Sequence, residues 1–311
     1  MIKLYRLVAA MLSAMVALFV FPASAQEPSP RPDPVEAVRA PDDERAPRPA
    51  LWKVADGDTT VYLFGTIHVL PEGVHWFDGA VADAFRESDT LVTEIIDGDP
   101  AQMQSLVFEK AMLPEGESLR AMLSQEDRDE YEAALGQYSI PPALFDRFEP
   151  WYAAVGLSTL PLMQDGYSAD TGVEKTLDSH AKSGGTEHIA LETAAYQLGL
   201  FDALPVPVQT RYLGEVIDQL PTMRTHLGEM VEAWKYGDVE LLADLMDAER
   251  SDPLLVKTLL TDRNEAWARW IAQRMEQPGT IFVAVGAGHL AGAGSLQEQL
   301  AALDIDSQRL Q

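Results

Sequence analysis

The chain has 311 residues, 47% of them apolar, no cysteine, and 49 acidic against 23 basic side chains. Without cysteine it has neither disulfides nor a lipid-modified N-terminal cysteine, so stability has to come from a packed core, which this length and apolar content can supply. A net charge of −26 repels phosphate backbones and anionic lipid surfaces, which excludes nucleic acid as an expected partner and leaves cations and neutral to basic substrates.

Residues 1–25 hold Lys3 and Arg6, an apolar run from Leu7 to Phe21, and then Ala23-Ser24-Ala25. That is the three-part layout of a secretory signal with cleavage after Ala25, and the run is shorter than the roughly 20 residues a membrane span needs. The expected location is the periplasm or the cell exterior, with no stable membrane span once the signal is removed. The signal carries two basic and no acidic residues, so the mature chain keeps 21 basic against 49 acidic side chains, a net charge of −28. Residues 26–49 are dense in proline and charge and are expected to form a disordered spacer. One folded domain is expected over residues 50–311.

In that domain, Leu51-Trp52-Lys53-Val54 and Thr60 to Phe64 flank Asp56-Gly57-Asp58, which predicts a hairpin. The second run leads into Gly65-Thr66-Ile67-His68. Asp78 is placed to cap a helix whose apolar stripe includes Val81 and Phe85, and residues 91–96 read as a strand containing Glu94. Pro114, Pro141-Pro142 and Pro150 divide the stretch from about 101 to 160 into several short helices. Residues 172–182 read as a helix stopped by Gly184-Gly185, and residues 188–191 as a strand leading into Glu192-Thr193. Apolar residues then recur at helical spacing from Tyr196 to Met275. The last clear strand, residues 280–285, is an almost unbroken apolar run, as expected of a strand covered on both faces. It leads into Gly286-Ala287-Gly288-His289 and a final helix over residues 295–303, after which residues 304–311 offer little of a closing strand. The fold class predicted is α/β, a central mixed sheet with flanking helices and a large helical insertion.

His68 and His289 each stand three residues after a glycine, at the carboxyl end of an apolar strand. Glycine lets the backbone turn sharply and leaves room for a ligand beside it, and ligands of open α/β sheets bind outside the carboxyl ends of the strands. Glu94 and Glu192 occupy the same kind of position on two further strands. Two imidazoles and a carboxylate make a ligand set for Zn, Mn, Fe or Co, with an open position that activates water or polarises a carbonyl. Without a metal the same groups could act as general base and acid. Spacing leaves both mechanisms open. His75, His180, His188 and His226 have no partner signature and are read as surface or packing residues, and Trp267 and Trp270 as core.

Six segments, taken in order, carry a resemblance: Leu51 to Val54, Leu63 to His68, Ser88-Asp89 with Leu91 to Glu94, Leu191-Glu192-Thr193, Asp262-Arg263-Asn264, and Val285 to Leu290. In this series the chain resembles the TraB/GumN family, including its Tiki-type metal-dependent proteases, and a fold similar to the erythromycin-esterase and ChaN-like proteins is implied. The resemblance implies a periplasmic hydrolase, a metal-dependent peptidase in which His68 and His289 ligate Mn, Co or Zn and Glu94 is ligand or general base. Gly65 and Gly286 are then the motif glycines. Glu192, Arg263 and Asn264 would orient ligands or bind substrate carbonyls, with an ordinary helix-anchoring salt bridge as the alternative for Arg263. Relatives often carry aspartate where this chain has Glu174, which leaves the role of that position open. The expected partner is a peptide or another small polar substrate. Two alternatives stand beside this reading. One is a non-catalytic peptide or haem/iron binding protein, since relatives are linked to peptide pheromone shutdown, polysaccharide gene clusters and haem or iron handling. The other is a metal-independent, esterase-like hydrolase.

Overall fold

The computed structural model of the chain describes residues 46–164, 166–246 and 252–311. The expected signal peptide and nearly all of the expected proline-rich spacer lie outside the described residues. The predicted hairpin is present: β1 (Leu51–Ala55) runs antiparallel to β2 (Thr59–Thr66), with Leu51 opposite Phe64. Helix α1 (Gly79–Arg86) starts at Asp78, whose carboxylate accepts from the Gly79 N–H at 2.7 Å. Strand β4 (Thr90–Thr93) ends earlier than the apolar pattern predicts. There the Thr93 hydroxyl donates to the Ile95 carbonyl at 2.8 Å, and the chain bends away with Glu94 at the bend.

Strands β6 (Glu187–Ala190) and β7 (Gly279–Gly286) complete the parallel part of the sheet. A last strand, β8 (Gln308–Arg309), pairs antiparallel with β1. The sheet order is β6-β4-β7-β2-β1-β8, and β6, β4, β7 and β2 all run parallel. The fold is therefore α/β with a mixed six-stranded sheet and helices on both faces. The closing edge that the sequence barely indicates is two residues long.

Alternation along β7 shows why its sequence is apolar throughout. Ile281, Val283 and Val285 pack with Trp267 and Ile271 of helix α12 (Asp262–Arg274) and with Leu296 and Leu300 of α13 (Leu296–Ala301). Phe282 and Ala284 face the other, larger core, with Phe64, Phe85, Trp76 and Trp234. A strand buried on both sides has no polar alternation to show.

Between β4 and β6 the chain forms α2 (Pro100–Ala111), α3 (Leu119–Met122), α4 (Gln125–Gln137), α5 (Pro150–Gln164) and α6 (Val173–Gly184), breaking near the expected prolines. A second helical run follows β6, with α7 (Ala194–Asp202), α8 (Val206–Gln219), α9 (Met223–Lys235), α10 (Val239–Met246) and α11 (Pro253–Val256). A small antiparallel pair, β3 (Leu70–Pro71) with β5 (Tyr167–Ser168), ties the loop after His68 to the approach of α6.

Candidate active site

Four strand ends assemble the site. β2 and β7 lie side by side in parallel register, with Gly65 opposite Val285 and Thr66 opposite Gly286, so both glycine-preceded histidines leave the sheet at the same edge. β4 lies on the other side of β7 and β6 beyond it, which brings Glu94 and Glu192 to that edge as well. The two glycine motifs also touch. A Cβ at Gly65 would stand 3.0 Å from the Ala287 Cα, so the absence of a side chain at Gly65 lets the turn that carries His289 rest closely against β2. Gly172 has a similar role at the start of α6: a Cβ there would meet the His68 carbonyl oxygen at 2.2 Å, and the Val173 N–H donates to the Ile67 carbonyl at 3.0 Å. The helix start thus fixes the backbone of His68 and places Glu174 beside its ring.

His68 Nδ1 lies 2.9 Å from Glu174 Oε1, while its Nε2 is buried with no hydrogen-bond partner among the described residues. Burial opposes charge on this ring, but Glu174, with Glu94 and Asp97 adding to it, outweighs burial and raises the pKa above the ordinary histidine value. His289 is treated in the opposite way. Asn264 donates through Nδ2 to the Gly294 carbonyl at 2.9 Å, so its Oδ1, 2.6 Å from His289 Nδ1, accepts the ring N–H. His289 Nε2 is then a bare lone pair, and Arg263 Nη1 donates to it from 3.1 Å. Burial, assisted by the Arg263 charge, holds the His289 pKa down at about 3.

Glu94 is 5% exposed and lies beside the His289 ring. Its Oε1 accepts from the Gly286 N–H at 2.8 Å and stands 3.8 Å from His289 Nε2, while its Oε2 accepts from Arg263 Nη2 at 2.5 Å and Gln197 Nε2 at 3.0 Å. Burial would raise its pKa, but Arg263, with His289, His68 and the Gly286 N–H adding to it, holds the carboxyl far below the usual carboxylate range. Glu192 receives Arg263 Nε at 3.0 Å, Arg263 Nη2 at 2.9 Å, Trp267 Nε1 at 2.9 Å and Gln197 Nε2 at 3.0 Å. With Nη1 also donating to the Leu259 carbonyl at 3.0 Å, all five N–H donors of Arg263 are engaged. The five residues just before α12, Lys257–Thr261, form a π-helical turn, a local departure from α geometry that often accompanies functional sites.

His68, Glu94, His289, Glu192, Arg263 and Asn264 therefore occupy one end of the sheet. Glu192, Arg263 and Asn264 are engaged by protein groups behind the imidazoles and Glu94. Three contributors lack a sequence signal. Gln197 bridges Glu94 and Glu192. Trp267, read from sequence as core, packs against the His289 ring at 4.4 Å between centroids and under the Arg263 guanidinium at 4.6 Å. His188, read as a surface or packing residue, is partnered: its Nε2 lies 2.8 Å from the Thr93 hydroxyl and its Nδ1 3.2 Å from Asp178, which also pairs with Lys182 at 2.6 Å. Of the three, only Gln197 has a place that could be searched from sequence, five positions beyond Glu192 in the first turn of α7.

By residue type, two imidazoles and a carboxylate suit a divalent transition metal. The His289 ring is held through Nδ1 by Asn264 while its Nε2 accepts from Arg263, His68 turns Nδ1 toward Glu174 and leaves Nε2 unpartnered, and Glu94 is a buried carboxylate at the same edge. Among the described residues, however, no three histidine or carboxylate side chains close on a single point.

The depressed pKa of His289 has a sign that stability measurements can read. The ring binds protons more weakly folded than unfolded, so its contribution is complete above about pH 6.5 and is lost as pH falls toward 3. Lowering the pH from 6.5 to 5 is expected to cost about 2 kcal/mol through this residue. His68, whose pKa is raised, contributes fully below pH 6.5 and does not add to this loss. Denaturant titrations of the protein and of His289→Asn over this range check the expectation; an equal pH slope in both would contradict it.

The TraB/PrgY/gumN family model matches residues 50–309. The chain is 26% identical over 254 residues to the "Uncharacterized protein YbaP" of Escherichia coli (strain K12), covering 81% of this chain and 92% of that one, and the same figures hold for its Shigella flexneri counterpart. A third relative, an uncharacterized protein of Treponema pallidum (strain Nichols), is 24% identical over 264 residues, covering 79% of this chain and 78% of the other. No solved structure matches. With the match running from β1 through β8 and including every strand end that carries the site, the chain belongs to the TraB/PrgY/gumN family.

Proposed function

We propose that the protein is a hydrolase of peptide bonds or related carbonyl compounds, with His68, Glu94 and His289 as its centre and a divalent transition metal, Mn, Co or Zn, as cofactor. One observation carries the reading: two imidazoles, His289 buried and His68 half-buried, each with Nδ1 turned to a protein oxygen, leave the sheet beside one buried carboxylate at the carboxyl end of the parallel strands. His68 Nε2, His289 Nε2 and Glu94 would hold the metal, which when bound supplies Lewis-acid activation of water or of the substrate carbonyl.

The chain's own groups divide the remaining work by their protonation. Glu94 stays ionised at any working pH and serves as a fixed negative charge; so acidic a carboxyl is a poor proton acceptor. His289 stays neutral above about pH 3 and serves as a lone-pair donor. With its Nε2 committed to a metal, His68 has no lone pair left for proton transfer and Glu174 only orients the ring; free of a metal, the dyad of His68 and Glu174 is the pair placed to take a proton from the attacking water and return it to the leaving group. Ile96 and Tyr196, both large and exposed, lie two and four positions beyond Glu94 and Glu192 and favour a substrate with apolar side chains.

The engaged guanidinium of Arg263 favours a second reading, a metal-independent esterase-like reaction in which His68 is the base and Arg263 the cation facing the carbonyl. Turnover of a peptide library and of aryl esters, with and without a chelator, by the intact protein, His68→Ala and His289→Ala separates the two. Chelator-sensitive turnover lost in both variants supports the metal reading, and chelator-resistant turnover lost in His68→Ala supports the second. Stoichiometric retention of a peptide or haem without product would replace both with a binding function. The proposed location is the periplasm or cell exterior, to be checked by whether the exported protein begins at Gln26. Among the described residues no helix is long and apolar enough to cross a membrane.

A further inference from the structure

We propose that Thr93, His188 and Asp178 form a latch on the bend that carries Glu94. The latch holds the Thr93 hydroxyl proton on the Ile95 carbonyl while the His188 ring carries two protons, and withdraws it when the ring carries one. The three side chains meet where β4 and β6 run side by side, with His188 opposite Leu91 and Thr93 opposite Ala190, and α6 supplies Asp178. The Thr93 hydroxyl oxygen is 2.8 Å from both the Ile95 carbonyl oxygen and His188 Nε2, and His188 Nδ1 is 3.2 Å from Asp178 Oδ1. By type this is the series of a nucleophilic triad. Thr93 is only 2% exposed, however, so its hydroxyl meets no substrate and acts on the backbone instead.

Counting protons decides how the series behaves. A hydroxyl has one hydrogen to give, and a carbonyl or a carboxylate has none. When Thr93 donates to Ile95, its oxygen can only accept from His188, so Nε2 carries a proton, and the Asp178 carboxylate requires another on Nδ1. All three contacts are therefore hydrogen bonds only when the ring is an imidazolium. A neutral ring keeps its proton on Nδ1, because a bare nitrogen is repelled by a carboxylate, and its Nε2 then accepts from Thr93. In that state the Ile95 carbonyl loses the hydroxyl.

Charged groups face His188 from α6 and from the loop after β4, while Glu187, beside it on β6, is turned to the Thr90 hydroxyl at 3.4 Å. Burial and Lys182, which also holds Asp178 at 2.6 Å, favour the neutral ring and prevail over Asp178 and Asp97, which favour the imidazolium. The latch is thus open near neutrality and closes as pH falls below about 6.5. What it moves is the chain just past Glu94. The Glu94 carbonyl is pinned on the sheet side, accepting from the Glu192 N–H at 2.8 Å. Beyond the bend come Ile96, which is exposed, and Asp97, which pairs with Lys175 at 3.8 Å and adds to the field on His68. The latch stands on these contacts alone, and only its effect on turnover rests on the hydrolase reading above.

Ile95-Ile96 is the one isoleucine pair in the sequence, so isoleucine labelled with ¹³C at the carbonyl and ¹⁵N at the amide gives a single correlation that reports the Ile95 carbonyl. The test follows that signal and the histidine ring nitrogens by nuclear magnetic resonance, from about pH 8 to the acid limit of folding. His188→Gln identifies the ring signal. The carbonyl signal is expected to move with the midpoint of the His188 ring. Thr93→Val abolishes the movement, and Thr93→Ser, which keeps a hydroxyl, preserves it and decides the matter if the valine variant fails to fold. Asp178→Asn is expected to lower both midpoints together, by about one pH unit or more. A carbonyl signal that stays still while the ring titrates, or that still moves in Thr93→Val, overturns the latch, as does a ring that keeps one protonation state throughout. A protein without peptide or ester turnover loses the hydrolase reading, while the carbonyl titration still upholds or overturns the latch.

Discussion

Glu94→Gln is expected to abolish turnover and to cost about 3–5 kcal/mol of stability, the penalty for removing one partner of a buried ion pair. The reason is specific to this carboxylate. Oε1 faces the Gly286 N–H, and Oε2 faces Arg263 Nη2 and Gln197 Nε2, so donors approach from both sides. An amide must turn its NH₂ toward one of those sides and set donor against donor, while Arg263 loses one of its two carboxylates. Chemical denaturation gives the stability change, and the peptide-library assay gives turnover. A Glu94→Gln protein as stable as the parent would show that the carboxylate is not the charged hub of the site; full turnover would remove it from the chemistry.

His68→Ala is expected to reduce turnover by about 10²- to 10⁴-fold, the range for loss of a positioned acid–base group. Its effect on stability should be smaller than that of Glu94→Gln, because the His68 side chain is 16% and Glu174 24% exposed, and solvent weakens their pairing. The pH profile carries the sharper information. In the metal-independent reading, where His68 is the base, a pKa raised by a neighbouring carboxylate leaves it active only above that raised value, so the acid limb of kcat/KM should lie above about pH 6.5. Glu174→Gln removes the charge that raises it and should move the limb to lower pH. An unmoved limb would mean that another group titrates, and that Glu174 serves only to hold the loop after His68.

The convergence of His68, Glu94, His289 and Glu192 was legible because it follows from one rule. Each stands just past an apolar run, and parallel strands deliver such residues to one edge. Lateral order was not legible, since nothing in residues 91–93 or 280–285 states that β4 lies between β6 and β7. Residues that act from helices were also hidden. Gln197 and Trp267 sit in ordinary amphipathic surroundings, and only the docking of α7 and α12 against the sheet turns them toward Glu192. His188 escaped notice because its partners, Thr93 and Asp178, come from β4 and α6. Glycine gave partial information: the Gly65 motif was visible, but its contact with Ala287, and the fit of Gly172 against His68, depend on tertiary approach. The closing strand β8 was nearly invisible because it is two exposed residues with no apolar pattern.

The most direct test of a single centre built from both histidines is a crystal structure of the protein grown with Mn²⁺. The account predicts one ion bonded to His68 Nε2, His289 Nε2 and a Glu94 oxygen, with nitrogen distances of about 2.0–2.2 Å. An ion bound only at surface carboxylates would contradict it.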